Sequence, residues 1–211
     1  MARVLIIGAS QGIGLETTRQ ALEAGHEVRA LSRSAARIGI ADPKLDKVSG
    51  DALSQTDIDA AVNGVGAVIQ VLGVGPGDLF GPVHLFSDAT RILVAAMEGR
   101  GVKRLVCVTG FGAGDSRSSI SCLQLVPFRL LLGRAYDDKD VQERLIREST
   151  LDWTIARPGV LTNGPRTGRY KVLDQPSQWR NGIISRADVA EFLVRQIEGA
   201  AYVRKTPVLV Y

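Results

Sequence analysis

The stretch RVLIIGASQGIGLETTRQALEAG at the N-terminus constrains this chain most. An apolar run, 4–7, leads into Gly8; Gly12 and Gly14 follow and open a helix-like stretch, 12–24, that stops at Gly25. Strand, glycine-rich turn and helix in this order make the first unit of a dinucleotide-binding βαβ fold. The turn needs glycine because the backbone bends sharply and must approach a pyrophosphate without an obstructing Cβ. The N–H groups and positive end of the next helix then hold the phosphates. The alternative is an ordinary tight βα turn; the place directly after a strand and the length of the helix favour the phosphate reading. Gly8-Ala9-Ser10-Gln11-Gly12 also spells the G-x-S-x-G nucleophile elbow, which needs an acid and then a histidine later in the chain. The histidines are His26 and His84 alone, so no base follows and the elbow is rejected. Ser10 is left to order the turn or touch a phosphate.

The rest of the chain repeats the alternation. Strand-like runs fall at 4–7, 27–31, 46–48, 67–72, 104–108, 153–156 and 207–210. Several are continuous Val/Ile runs, the pattern of strands covered on both faces. Helix-like stretches fall at 12–24, from Ser54 onward, at 86–98, at 137–148 and after Ser185. Ser54 with Asp57 and Ser185 with Asp188 resemble capping boxes, with Asp in the Glu/Gln place. The expected fold is a single doubly wound, Rossmann-type α/β domain over 1–211, with a mostly parallel sheet between two helical layers. Segments 112–134, which carries Pro127, and 158–183 do not fit the alternation. Both follow strands, and open parallel sheets bind ligands outside the carboxyl ends of their strands, so both are read as substrate-side segments.

Composition narrows the classes. Hydrophobic residues make up 45% and charged residues 23%, which excludes a disordered chain. The longest apolar stretch, 123–132, is broken by Gln124, Pro127 and Arg129 and is too short to span a bilayer. The run at 1–7 is too short for a secretory leader. The formal charge is +4, with 20 Arg against 6 Lys. These cations are scattered, not clustered as nucleic-acid binding requires. The partner expected is therefore a small molecule, with neither nucleic acid nor membrane. Cys107 and Cys122 form no disulfide framework, which suggests a cytoplasmic location. Two Cys and two His at unrelated spacings make no zinc site, and no metal is expected.

The end of the second strand bears on the cofactor. An NAD site places Asp or Glu there to bond the ribose 2′-OH; here VRALSRSAAR puts Arg33 in that place, with Arg37 one turn on. A carboxylate would repel a 2′-phosphate, whereas a guanidinium bonds it bidentately, so NADP(H) is expected. Asp137 and Asp138 are read as acids at a helix start. Trp153 reads as core, and Trp179 as lining a pocket or capping the core.

The chain resembles the atypical short-chain dehydrogenase/reductase group with an NAD(P)H-binding domain, and within it the biliverdin reductase B or NADPH-dependent flavin reductase type. The glycine loop, HEVRALSR, VSGDALSQTDIDAAVNGVGAVIQVLG, ATRILVAAMEGRGVKRLVCVTG, DDKDVQERLIRESTLDWTIARPG, NGPRTGRYKV and ISRADVAEFLV carry the likeness. The resemblance implies phosphate contacts at Gly8, Ser10, Gln11, Gly12, Ile13 and Gly14, and 2′-phosphate contacts at Arg33 and Arg37. It implies an adenine wall at Asp51 and Ala52, a further strand end at Leu72 and Gly73, and a nicotinamide side at Thr109, Gly110, Pro158 and Gly159. Lys139 falls in the group's Lys/His place and is expected to face the cofactor; Tyr136 is expected at the entry of its helix.

Several positions depart from the pattern. The loop spacing is G-x-x-x-G-x-G, that of the Tyr/Lys short-chain enzymes, not G-x-x-G-x-x-G. Those enzymes use Y-x-x-x-K and a Ser; here Tyr136 and Lys139 are three apart and Gly110 stands in the Ser place. The flavin-reductase Ser and His fall at Gly110 and Val160. The implied activity is hydride transfer from NADPH to a planar acceptor such as flavin or quinone, with Lys139 and Tyr136 as the candidate catalytic residues. A non-catalytic NADP(H) sensor of the NmrA-like kind is the alternative; a nucleotide-sugar epimerase or dehydratase fits less well, without Y-x-x-x-K. A monomer or weak homo-oligomer is expected.

Overall fold

The computed structural model describes residues 1–73, 83–119 and 122–211, and the side chains of these apart from 119 and 122–132. Ten strands and five helices occur among them. The strands are β1 (Arg3–Ile7), β2 (Glu27–Ser32), β3 (Leu45–Ser49), β4 (Ala67–Gln70), β5 (Arg104–Val108), β6 (Asp152–Pro158), β7 (Val160–Thr162), β8 (Lys171–Leu173), β9 (Ile183–Ser185) and β10 (Val208–Val210). The helices are α1 (Gly12–Glu23), α2 (Gln55–Val62), α3 (Leu85–Gly99), α4 (Cys122–Glu148) and α5 (Arg186–Arg195).

Eight strands form one sheet in the order β3-β2-β1-β4-β5-β6-β10-β8, and β7 pairs with β9 in a second, two-stranded sheet. In the large sheet every pair is parallel except β10 with β8. Successive side chains of a strand point to opposite faces, and both faces here are apolar. Val4 and Ile6 of β1 join one core cluster with Ile13, Leu22, Val189 and Phe192 from α1 and α5. Leu5 and Ile7 join the other with Ile58, Leu93, Met97 and Ile146 from α2, α3 and α4. The continuous apolar runs are thus central strands between two helical layers, and the domain is the expected Rossmann-type α/β fold.

The N-caps read from sequence form: Ser54 Oγ accepts from Asp57 N at 3.2 Å and Ser185 Oγ from Asp188 N at 3.0 Å. The two segments set apart differ from expectation. Within 112–134, Gly114–Ser119 is a 3-10 turn and α4 starts at Cys122, with residues 120–121 and the Cys122 side chain outside the description. A helix start at 137 is therefore corrected by about four turns, and Tyr136 and Asp138 lie inside α4. Asp138 is buried and caps a different helix, accepting from Phe86 N at 2.8 Å and Ser87 N at 3.3 Å at the start of α3. Segment 158–183 holds β7 and β8 and reaches β9, three-residue strands too short to show a period.

Candidate functional site

The strand order reverses between β1 and β4, where the chain that built β2 and β3 to one side continues to the other. A crevice forms at such a point outside the carboxyl ends of the strands. Here it is a cleft of about 900 Å³, lined at its centre by the glycine loop.

The three glycines do different work. Gly8 has φ +88°, and a Cβ there would lie 2.1 Å from Val71 O; a Cβ on Gly14 would lie 2.1 Å from Gly8 O. These two let loop, strand and helix close on one another, so Gly14 sits beneath the cleft instead of lining it. Gly12, at φ +55°, puts no Cβ into the cleft, and the nearest side chain at that point is Arg186, whose Nε lies 3.8 Å from the absent Cβ. Helix α1 begins at Gly12 with no side-chain cap and no acid in its first turn, so its N–H groups and positive end stay available to an anion.

Arg33, at the end of β2, and Arg37 are exposed and line one end of the cleft with Asp51 and Ala52. Neither arginine has an ion pair with a described carboxylate. Ser10 Oγ accepts from Ser32 Oγ at 2.8 Å and Ser34 Oγ at 3.1 Å, which ties the glycine loop to this end. Asp51 Oδ1 accepts from Leu53 N at 3.0 Å, so the carboxylate shapes its own turn. Leu72 and Gly73 continue the wall past β4.

The other end is lined by Thr109, Lys139 and Pro158. Lys139 Nζ donates to Thr109 O at 2.5 Å and lies 4.9 Å from the Phe86 ring centroid and 5.2 Å from that of Tyr136. Burial lowers its pKa to about 8 against the opposing pull of Cys107 and Glu143. Thr109 Oγ1 donates to Glu143 Oε1 at 2.8 Å, and the buried Glu143 takes two bonds from Arg157, at 3.0 and 2.5 Å. Burial opposes the Arg157 charge, yet Glu143 and Asp115 outweigh it and raise its pKa. Asp115 pairs with Arg157 at 2.6 Å, and the Trp179 ring lies 5.0 Å from the guanidinium. Trp179 is buried with Val208 and Val210, so it caps the core and does not line the cleft.

Tyr136, Gly110 and Gly159 do not line the cleft either. A Cβ on Gly110 would meet Tyr136 Oη at 2.5 Å: the phenol fills the space a Ser would use. Burial pushes the Tyr136 hydroxyl up to about 12, the reverse of what a general acid needs at neutral pH. Gly159 packs its backbone on Gly182 O, 2.3 Å from its absent Cβ. The sequence reading missed Ser32, Ser34, His84, Leu161 and Arg186, which also line the cleft. For Arg186 a signal existed, since a cation in the first turn of a helix opposes the dipole.

Among the described residues no group of three or more His, Cys, Asp or Glu could hold a metal ion. No described helix is long and apolar enough to cross a membrane.

A family model described as NAD(P)H-binding matches residues 8–199. An uncharacterised chloroplastic protein of Arabidopsis thaliana is 31% identical over 92% of this chain and 71% of its own length. The photosystem II assembly factor Ycf39 of Synechocystis is 25% identical over 97% of this chain, which spans only 61% of that relative. Among solved structures, ChuY of Escherichia coli O157:H7, described as an anaerobillin reductase, superposes with a TM-score of 0.81 at 26% identity, covering 99% of this chain and 96% of that one. The crevice at the strand reversal, the glycine loop with its uncapped helix and the match over 8–199 converge: the chain belongs to the NAD(P)H-binding family.

Proposed function

We propose that the chain is an NADP(H)-dependent reductase that passes hydride from NADPH to a planar acceptor such as flavin or quinone. The observation that carries this reading is one continuous cleft with Arg33 and Arg37 at one end and the Lys139 ammonium at the other. Those ends are where a 2′-phosphate and a nicotinamide ribose need positive charge. The residues fit the cofactor, since Gly12 puts no side chain over an uncapped helix end and the nearest side chain there is the Arg186 cation.

In this reading the backbone from Ser10 to Ile13, with the Ser10 and Gln11 side chains, holds the diphosphate. Arg33 and Arg37 take the 2′-phosphate, and Asp51 and Ala52 flank the adenine. Leu72 and Gly73 support the sugar, and Thr109 and Pro158 border the nicotinamide. The reduced nicotinamide supplies the hydride. Lys139 orients the ribose beside it and holds a proton at Nζ. The acceptor gains that hydride plus one proton, from Lys139 or solvent. Positioning the rings is then most of the catalytic task. The relative described as an anaerobillin reductase supports reductase chemistry.

A second reading is a non-catalytic NADP(H)-binding sensor. The Gly110 position, filled by the Tyr136 hydroxyl, and the relative named as an assembly factor favour it. NADPH oxidation with flavins, quinones and tetrapyrroles, beside direct NADPH titration, separates the two. Turnover on one of these acceptors is expected; tight binding with no turnover on any would favour the sensor.

A further inference from the structure

The wall opposite the glycine loop carries a cation that the cofactor reading leaves without a task. Arg186 opens α5, where the acid that the dipole favours is present separately as Asp188. A positive side chain at that place costs stability unless something else attracts it. Its one hydrogen bond among the described residues runs from Nη1 to Asn163 Oδ1, at 2.7 Å, and no described carboxylate pairs with it. Its Nε lies 3.8 Å from the point a Gly12 Cβ would occupy. The Arg186 side chain therefore lies against the uncapped start of α1, and no described carboxylate stands between these two positive groups.

The mounting of Arg186 is built. Asp188, fully buried, accepts from Thr167 N at 2.7 Å, Gly168 N at 2.8 Å, Thr167 Oγ1 at 2.7 Å and Tyr211 Oη at 2.7 Å. Ser185 Oγ also donates to Pro165 O at 3.0 Å. The segment that carries Asn163 is thereby tied to the start of α5, and a guanidinium held this way loses little freedom on binding.

We propose that Arg186 clamps the diphosphate of the dinucleotide from the wall opposite the glycine loop. The assignment rests on the cofactor reading above and adds a side-chain contact to a group otherwise held by backbone. It lies against Gly12 at the start of α1, which assigns it to the diphosphate and not to the acceptor. It also differs in kind from Arg33 and Arg37: a diphosphate is common to NADPH and NADH, whereas a 2′-phosphate is not.

The test is direct titration of wild type, Arg186→Gln, Arg186→Lys and Asn163→Ala with NADPH, NADH and adenosine 2′-monophosphate, which has a 2′-phosphate but no diphosphate. Loss of one charge-assisted contact predicts that Arg186→Gln weakens both dinucleotides by the same factor, about tenfold or more, and leaves the monophosphate within about twofold. Arg186→Lys retains charge without the fork and falls between, and Asn163→Ala shows the same pattern with smaller amplitude. Unchanged dinucleotide binding in Arg186→Gln overturns the assignment, as does a loss confined to NADPH or one shared by the monophosphate. Normal dinucleotide binding with a raised acceptor KM overturns it in favour of an acceptor contact. A wild type that binds neither dinucleotide removes the cofactor reading and the clamp together, whereas normal binding by Arg186→Gln removes the clamp alone.

Discussion

At the end of β2 a guanidinium and a carboxylate make opposite demands on the ribose, so in the proposed NADP(H) reading Arg33 sets the cofactor preference. Arg33→Asp loses one charge-assisted contact and gains a repulsion, so NADPH affinity should fall by about 10- to 100-fold while NADH changes little. Titration checks this, and equal wild-type affinity for the two cofactors would remove the role given to Arg33. Lys139 carries a pH signature. Its folded pKa of about 8 lies below the ordinary 10.5 because burial disfavours the ammonium. Between those values the unfolded chain binds the proton and the folded one does not, so this group adds stability as pH rises through that window. Over the first part of the same rise the cleft loses its ammonium, and acceptor reduction should fall. Lys139→Met should flatten both trends, read as the difference from wild type in thermal melts and steady-state rates. Tyr136→Phe should stay within about fivefold of wild-type turnover, because a phenol outside the cleft makes no transition-state contact. A loss of about a hundredfold would restore the tyrosine as general acid.

Among the elements, the long helix α4 does work that its sequence half conceals. Asp138 lies well inside α4, sixteen residues after its start at Cys122, and its carboxylate accepts from the N–H groups of Phe86 and Ser87 in the first turn of α3. Asp138→Ala should cost about 1–2 kcal/mol in a urea denaturation midpoint, the size of a lost buried cap. It should also loosen Phe86 beside Lys139 and so weaken NADPH binding. The central strands, α1 and both serine caps were legible because each carries a local signal: apolar runs, glycines at fixed offsets, Ser with Asp three residues on. The first half of α4 was not, since Pro127 reads as a breaker that costs about 3 kcal/mol in a helix interior. Strands β7, β8 and β9 were hidden because pairing partners up to 39 residues apart, as Lys171 of β8 with Val210 of β10, hold them, and no local pattern reports that.

At the scale of the molecule, what remained illegible is what connects distant parts. Arg157 and Glu143 sit in unremarkable stretches, ARPG and VQERL, and nothing local marks them as partners. Folded, they are 0% and 2% exposed, and they join the sheet through β6, the outer helix α4, Asp115 before it and Trp179 in the segment after β6. Glu143 also holds Thr109, whose carbonyl receives Lys139. The cluster thus couples the Lys139 end of the cleft to both segments read as the substrate side. Removing one member leaves a buried charge without its partner, so Arg157→Leu should destabilise the fold by about 3–5 kcal/mol. Replacing both, Arg157→Met with Glu143→Leu, removes both desolvation costs with the attraction and should lose about 1–2 kcal/mol, less than the single change. The double variant should nevertheless bind NADPH more weakly, because Thr109 has lost its acceptor and Lys139 its support. Chemical denaturation and NADPH titration of the three variants check this together. A double variant less stable than Arg157→Leu would mean that the pair is a net source of stability; one with wild-type affinity would mean that the cluster braces the fold without reaching the cofactor.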